Sequence, residues 1–94
     1  MNRTSVISVC FNSSAVIESL LRTIPANTTI VLVDNGSGDL EIIQELAKAY
    51  SALLISNPIN SGFGSACNQG ASLCKSEFLF FINPDSTLEP STIA

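Results

Sequence analysis

Apolar residues fall into four runs along the chain, separated by stretches in which they recur at helical spacing. The first run, 4–10 (Thr-Ser-Val-Ile-Ser-Val-Cys), is rich in β-branched side chains and reads as a strand. Phe11-Asn12-Ser13-Ser14 follows as a loop able to cap a helix. From Ala15 onwards Val16, Ile17, Leu20, Leu21 and Ile24 form one apolar stripe, which Pro25-Ala26-Asn27 ends. Residues 28–33 make a second strand, without alternation and therefore central. A dense turn, Asp34-Asn35-Gly36-Ser37-Gly38-Asp39, leads into a helix over 40–50 with Leu40, Ile43, Leu46 and Ala47 on one face. A short third strand over 52–56, a loop over 57–62 and a helix of small residues over 62–74 come next.

The last apolar run, Phe78-Leu79-Phe80-Phe81-Ile82, is the most continuous. It predicts a strand buried on both faces, a central member of a parallel sheet. Asn83-Pro84-Asp85 stops it, because proline cannot donate to the ladder. Asp85 is thus expected just beyond the carboxyl end of that strand, where open α/β sheets bind ligands. Glu89-Pro90-Ser91 begins a further helix. Four strands alternating with helices through short connections predict right-handed crossovers and a parallel sheet covered on both faces. The fold class is α/β, in one domain spanning 1–94.

Composition narrows the function. Ninety-four residues, 46% of them hydrophobic, suit one compact unit. No apolar run nears the roughly 20 residues of a membrane span, and no signal peptide opens the chain, so a cytoplasmic location is the expectation. Histidine is absent, and Cys67 and Cys74, two helical turns apart at about 10 Å, are beyond disulfide reach. With no Cys-x-x-Cys pair either, a zinc site or a Ser-His or Cys-His nucleophile is set aside. The net charge of −4, with only four basic residues, argues against nucleic acid as a partner.

The candidate chemistry lies in the loops. Every segment that follows a strand is rich in Asn, Asp, Ser and Gly, and in a parallel sheet these segments share the ligand-binding edge. Such residues are also ordinary turn formers, but the loops returning to the strands are shorter and plainer. Arg22, Lys48 and Lys75 fall near helix ends and Arg3 precedes the first strand, all at the opposite pole. An anionic ligand at the loop edge would therefore rely on helix amides or on a divalent cation held by Asp85. Gly62-Phe63-Gly64-Ser65-Ala66-Cys67 lacks the last glycine of a dinucleotide fingerprint and follows the wrong strand, and no phosphate-loop Gly-Lys-Ser/Thr occurs.

Four segments in register, Val6 to Ser13, Ile30 to Ser37, Asn60 to Gly70 and Phe80 to Asp85, resemble the amino-terminal half of a family 2 glycosyltransferase of the GT-A fold. The Asp-Asn-Gly-Ser and Asn-Pro-Asp forms are similar to its rhamnosyltransferase-like branch. The resemblance implies a three-layer α/β/α half with strand order 3-2-1-4, binding a UDP- or dTDP-sugar with Mg2+ or Mn2+. It implies that Phe11, Asn12 and Ser13 border the base and ribose. Asp34, with Asn35 and Gly36 beside it, would accept the uracil or thymine imide. Asn60, Gly62, Phe63 and Asn68 would let the backbone approach the nucleotide. Asn83 and Asp85 stand where the family has Asp-x-Asp, and Asp85 would be the metal ligand.

The implied reaction is inverting sugar transfer to an acceptor hydroxyl, in polysaccharide or cell-envelope glycan synthesis. The general base belongs to the family's second half, so no catalytic residue is assigned and this chain is expected to be inactive alone. Asp39 and Glu41, in the first turn of the second helix, are read as favouring its dipole. A full-length protein would be peripheral to the inner face of the membrane. Two other readings stand beside this one. The chain could be a gene remnant or a non-catalytic module that forms homo-oligomers through an unprotected edge at 78–82, or a mononucleotide-binding protein using Asp34 on another base.

Overall fold

The computed structural model describes residues 4–85. Four strands, β1 (Thr4–Cys10), β2 (Thr29–Asn35), β3 (Leu53–Asn57) and β4 (Phe78–Phe81), alternate with three helices, α1 (Ser14–Thr23), α2 (Leu40–Ala49) and α3 (Phe63–Ser72). All strand pairs are parallel and the order is β3-β2-β1-β4. The α/β class and the strand order implied by the resemblance are both present.

Strand alternation divides the core into two layers. Val6 and Cys10 of β1 and Ile30 and Leu32 of β2 pack with Ile17, Leu20 and Leu21 of α1 and Ile43 and Ala47 of α2. Ile7, Val31 and Val33 face the other way, against Ala66 of α3. Right-handed crossovers require this division, because the chain steps from β1 to β2 to β3 in one direction and then returns across the sheet to β4. The direction reverses between β1 and β4, which makes their carboxyl ends the topological switch point.

Small residues bring α3 close to the sheet. A Cβ on Gly70 would lie 2.5 Å from Cγ2 of Ile7 and 3.2 Å from Cγ2 of Val33. The helix therefore lies over β1 and β2.

That placement corrects one expectation. The run at 78–82 is not a strand buried on both faces: β4 is a sheet edge among the described residues. Phe80 and Ile82 pack against the α1/α2 core, but Leu79 and Phe81, on the α3 side of the sheet yet beyond the reach of that helix, are 38% and 49% exposed. An unalternating apolar run reports that both faces are apolar; it does not report whether anything covers them. The helix expected from Glu89 lies outside the described residues.

Candidate active site

Because the sheet is wholly parallel, the segments after the strands gather at one edge. Arg22 and Lys48, in the last turns of α1 and α2, sit at the opposite pole, where cations complement helix carboxyl ends. Lys75 follows α3 at the same pole, and Arg3 lies outside the described residues. The described part of the loop edge thus carries carboxylates and amides without basic residues.

Asp34 and Asn35 are consecutive at the end of β2, so their side chains leave opposite faces of the sheet. Asp34 is buried on the α1/α2 side, at 1% exposure. Its Oδ2 accepts the Ser37 amide at 3.1 Å, while Oδ1 is buried with no partner. Asn35, also buried, turns to the α3 side. Its Oδ1 accepts the Ser61 amide (2.9 Å), the Ser61 hydroxyl (3.1 Å) and Nδ2 of Asn57 (3.2 Å). Its Nδ2 donates to Oδ1 of Asn60 (3.0 Å) and to the Gly62 carbonyl (3.4 Å). Asn57 and Gln69 add a reciprocal amide pair at 2.7 and 3.0 Å. Gly36, at φ +87°, fits against the same loop, since a Cβ there would lie 2.9 Å from the Asn60 nitrogen.

The loop after β1 is joined to the loop after β2. Asn12, at φ 51°, a region asparagine tolerates, donates its amide to Oγ of Ser37 (2.8 Å) and accepts the Gly38 amide on Oδ1 (2.9 Å). Ser14 N–H, the first in α1, donates to Oδ2 of Asp39 at 2.8 Å. Ser13 occupies the N-cap position of α1 but makes no side-chain cap bond. Its hydroxyl accepts from the Phe11 amide and donates to the Phe11 carbonyl.

Asp39 stands at the N-cap of α2 and makes no side-chain cap bond to its own helix. The expectation that it serves the α2 dipole is therefore incomplete, because its carboxylate caps α1. Burial opposes its charge most strongly, yet the Ser14 hydroxyl and amide, its own amide and the Ser37 hydroxyl together hold its pKa below the ordinary value. Nearby, burial first, and then the Asp34 and Asp39 charges, push the Cys10 thiol up to about 12.

The structure thus brings Asn12, Ser13, Asp34, Asn35, Gly36, Asn60 and Gly62 into one set of stitched loops. Phe11 at 53% exposure and Phe63 at 63% stand at its rim. Asn68 lies exposed on α3, outside the hydrogen-bonded cluster. Asn83 and Asp85 are exposed beyond β4, on the other side of β1. Two bonds fix the chain just before them: the Ile82 amide donates to the Ile7 carbonyl (3.0 Å), and Oγ of buried Ser8 donates to the Ile82 carbonyl (2.8 Å).

Sequence reasoning missed Ser8, Ser14, Ser37, Asp39, Asn57 and Gln69 as organisers of this edge. Their partners are mostly more than twenty residues away, and no local pattern marks such pairs.

Asp85 and Asn83 offer hard oxygen donors, and the described residues contain no group of three His, Cys, Asp or Glu able to hold a metal by themselves. A cation here fits only with ligand oxygens completing its shell, as is usual for Mg2+. No helix among the described residues is long and apolar enough to cross a membrane.

The comparisons with known proteins agree with this geometry. EpsH of Bacillus subtilis (strain 168), named as a glycosyltransferase, is 33% identical over 76 residues, covering 79% of this chain and 22% of EpsH. The crystal structure of S. aureus TarS 1–349 superposes with a TM-score of 0.82 at 27% identity, covering 98% of this chain and 30% of TarS. The same TarS segment in complex with UDP superposes at 0.80 with 25% identity, covering 96% of this chain and 29% of TarS. The chain spans less than a third of the length of each. The model of glycosyl transferase family 2 matches residues 5–94, nearly the whole sequence, and this chain belongs to that family.

Proposed function

We propose that this chain is the donor-binding part of an inverting glycosyltransferase, taking a UDP- or dTDP-sugar. The observation that carries this reading is the unpartnered Oδ1 of buried Asp34. A buried acceptor without a donor costs about 1–3 kcal/mol, which a ligand N–H can offset. With Oδ2 held by Ser37, one acceptor remains. One acceptor suits the single imide N–H of uracil or thymine better than the two adjacent donors of guanine. TarS, a structural relative, has been crystallised with UDP.

From Asp34 the nucleotide would cross the end of β1, beside Phe11, Asn12 and Ser13, towards Asn83 and Asp85. The span is two strand spacings, about 10 Å. Asp85, with Asn83, would hold Mg2+ or Mn2+, which when bound neutralises diphosphate charge. Gly62 and Phe63 would border the sugar side, with Asn68 further along α3. Asp39 is not assigned as a base in this scheme, because its Oδ2 caps α1 and its Oδ1, although unpartnered, is buried. The chain by itself is accordingly proposed to bind donor without transferring sugar.

Titration calorimetry with UDP and dTDP, in Mn2+ and in chelator, tests the reading. Metal-dependent binding weakened in Asp85→Ala and in Asp34→Asn is expected. No binding at millimolar nucleotide by the folded chain overturns it.

A second reading, self-association through β4, is favoured by the exposure of Phe78, Leu79 and Phe81 at the sheet edge. Sedimentation velocity over a wide concentration range separates the two, since a monomer throughout removes the second.

A further inference from the structure

We propose that Asn35 is a positioning residue for nucleotide binding, its side-chain amide holding Asp34 and the 57–62 loop in one binding-competent arrangement. The inference rests on the donor-binding reading above.

Its chemistry is specific to an amide. The Ser61 backbone N–H can only donate and the Gly62 carbonyl can only accept, so their contacts at 2.9 and 3.4 Å fix which end of Asn35 is oxygen and which is nitrogen. Both Nδ2 donors and the Oδ1 acceptor are in use, at 3% exposure. A carboxylate at this position keeps the Ser61 and Asn57 contacts and loses the two that Nδ2 donates. It would set an anionic oxygen, at a position only 3% exposed, against the Gly62 carbonyl and Oδ1 of Asn60, both acceptors. Gly62 is the N-cap of α3, at φ +88°, so its displacement moves the start of that helix.

Asn35 also follows Asp34 directly. Gly36 then packs closely against the backbone of Ile59 and Asn60, so the two loops meet directly. Any shift that relieves the clash at residue 35 therefore re-aims the Asp34 acceptor. Asn35 itself faces the α3 layer and does not touch the base that Asp34 accepts.

The test is a double-mutant cycle read by UDP affinity. Asn35→Asp is expected to weaken UDP binding about tenfold at neutral pH in the wild-type background, a usual size for coupled neighbours, and to add little in Asp34→Asn. Acidification that protonates the introduced carboxyl returns a donor and narrows the gap to wild type at the same pH. A purely structural role predicts equal losses in both backgrounds, and that result, or no loss at all, overturns the proposal. Should Asn35→Asp fail to fold, Asn57→Ala, which removes one of the donors to Oδ1, is expected to show the same background dependence with a smaller loss. Equal losses there overturn it as well. Absence of UDP and dTDP binding by the folded wild type removes the donor-binding function and the positioning role with it. Binding by the wild type with equal losses removes only the positioning role.

Discussion

The carboxylate of Asp39, at the N-cap position of α2, accepts the Ser14 amide at the start of α1, 2.8 Å away. One side chain therefore ties together the amino ends of two helices on the same face of the sheet. Asn12, bonded to Ser37 and Gly38, reinforces the tie from the loop side.

Removing that carboxylate tests the tie. Asp39→Ala is expected to lower stability by about 0.5–2 kcal/mol, the usual range for a lost helix cap. The pH dependence has a definite sign. The folded carboxyl titrates below its ordinary value of 3.8, so its contribution is present above that pH and is lost as pH falls through the lower folded value. Urea unfolding at neutral pH and again below pH 3.8 should show the gap between wild type and variant closing in acid.

Asp34 carries the opposite trade-off. Its unpartnered oxygen opposes folding, because a buried acceptor has left water without compensation. Asp34→Asn keeps a carbonyl for the Ser37 amide and removes the buried charge. The thermal midpoint should stay the same or rise, while UDP binding weakens by about tenfold or more, the worth of one buried hydrogen bond to a charged acceptor. Differential scanning calorimetry with and without UDP reads both effects on one sample.

Gly70→Ala sets helix propensity against packing. Alanine favours the helix by roughly 1 kcal/mol over glycine. The new methyl, 2.5 Å from Cγ2 of Ile7, overpacks the layer at a cost of about 1–3 kcal/mol. Packing wins. A net loss of about 1 kcal/mol in denaturant unfolding is expected.

Cys10 should be inert in the native state. Its thiol is buried, with its pKa near 12, whereas Cys67 and Cys74 are only partly buried. Alkylation at mildly alkaline pH is expected at Cys67 and Cys74 first, with Cys10 labelled only on unfolding; peptide mapping by mass spectrometry reads the order. Above pH 9 the unfolded chain loses this proton while the folded chain retains it, so stability should fall on the alkaline side, and less so in Cys10→Ala.

The element order, the parallel sheet and the edge at which the polar loops collect were all legible in the sequence. Apolar periodicity and turn chemistry are local, and right-handed crossovers leave few ways to join such elements. The role expected of Asp34 came instead from the resemblance to the family, carried by the few residues Asp-Asn-Gly-Ser. Tertiary structure alone decided what the neighbouring side chains do. Nothing in Asp-Asn-Gly-Ser says that Asp34 keeps a bare oxygen on one face while Asn35 spends its whole amide on the other. That division follows from strand alternation combined with loops brought together across more than twenty residues. The same holds for Phe78 to Phe81, whose apolar run marks a strand. Its exposure depends on α3, which Gly70 seats over β1 and β2 instead of β4. Local pattern determined which elements form, and long-range packing determined which of their polar groups remain free to meet a ligand.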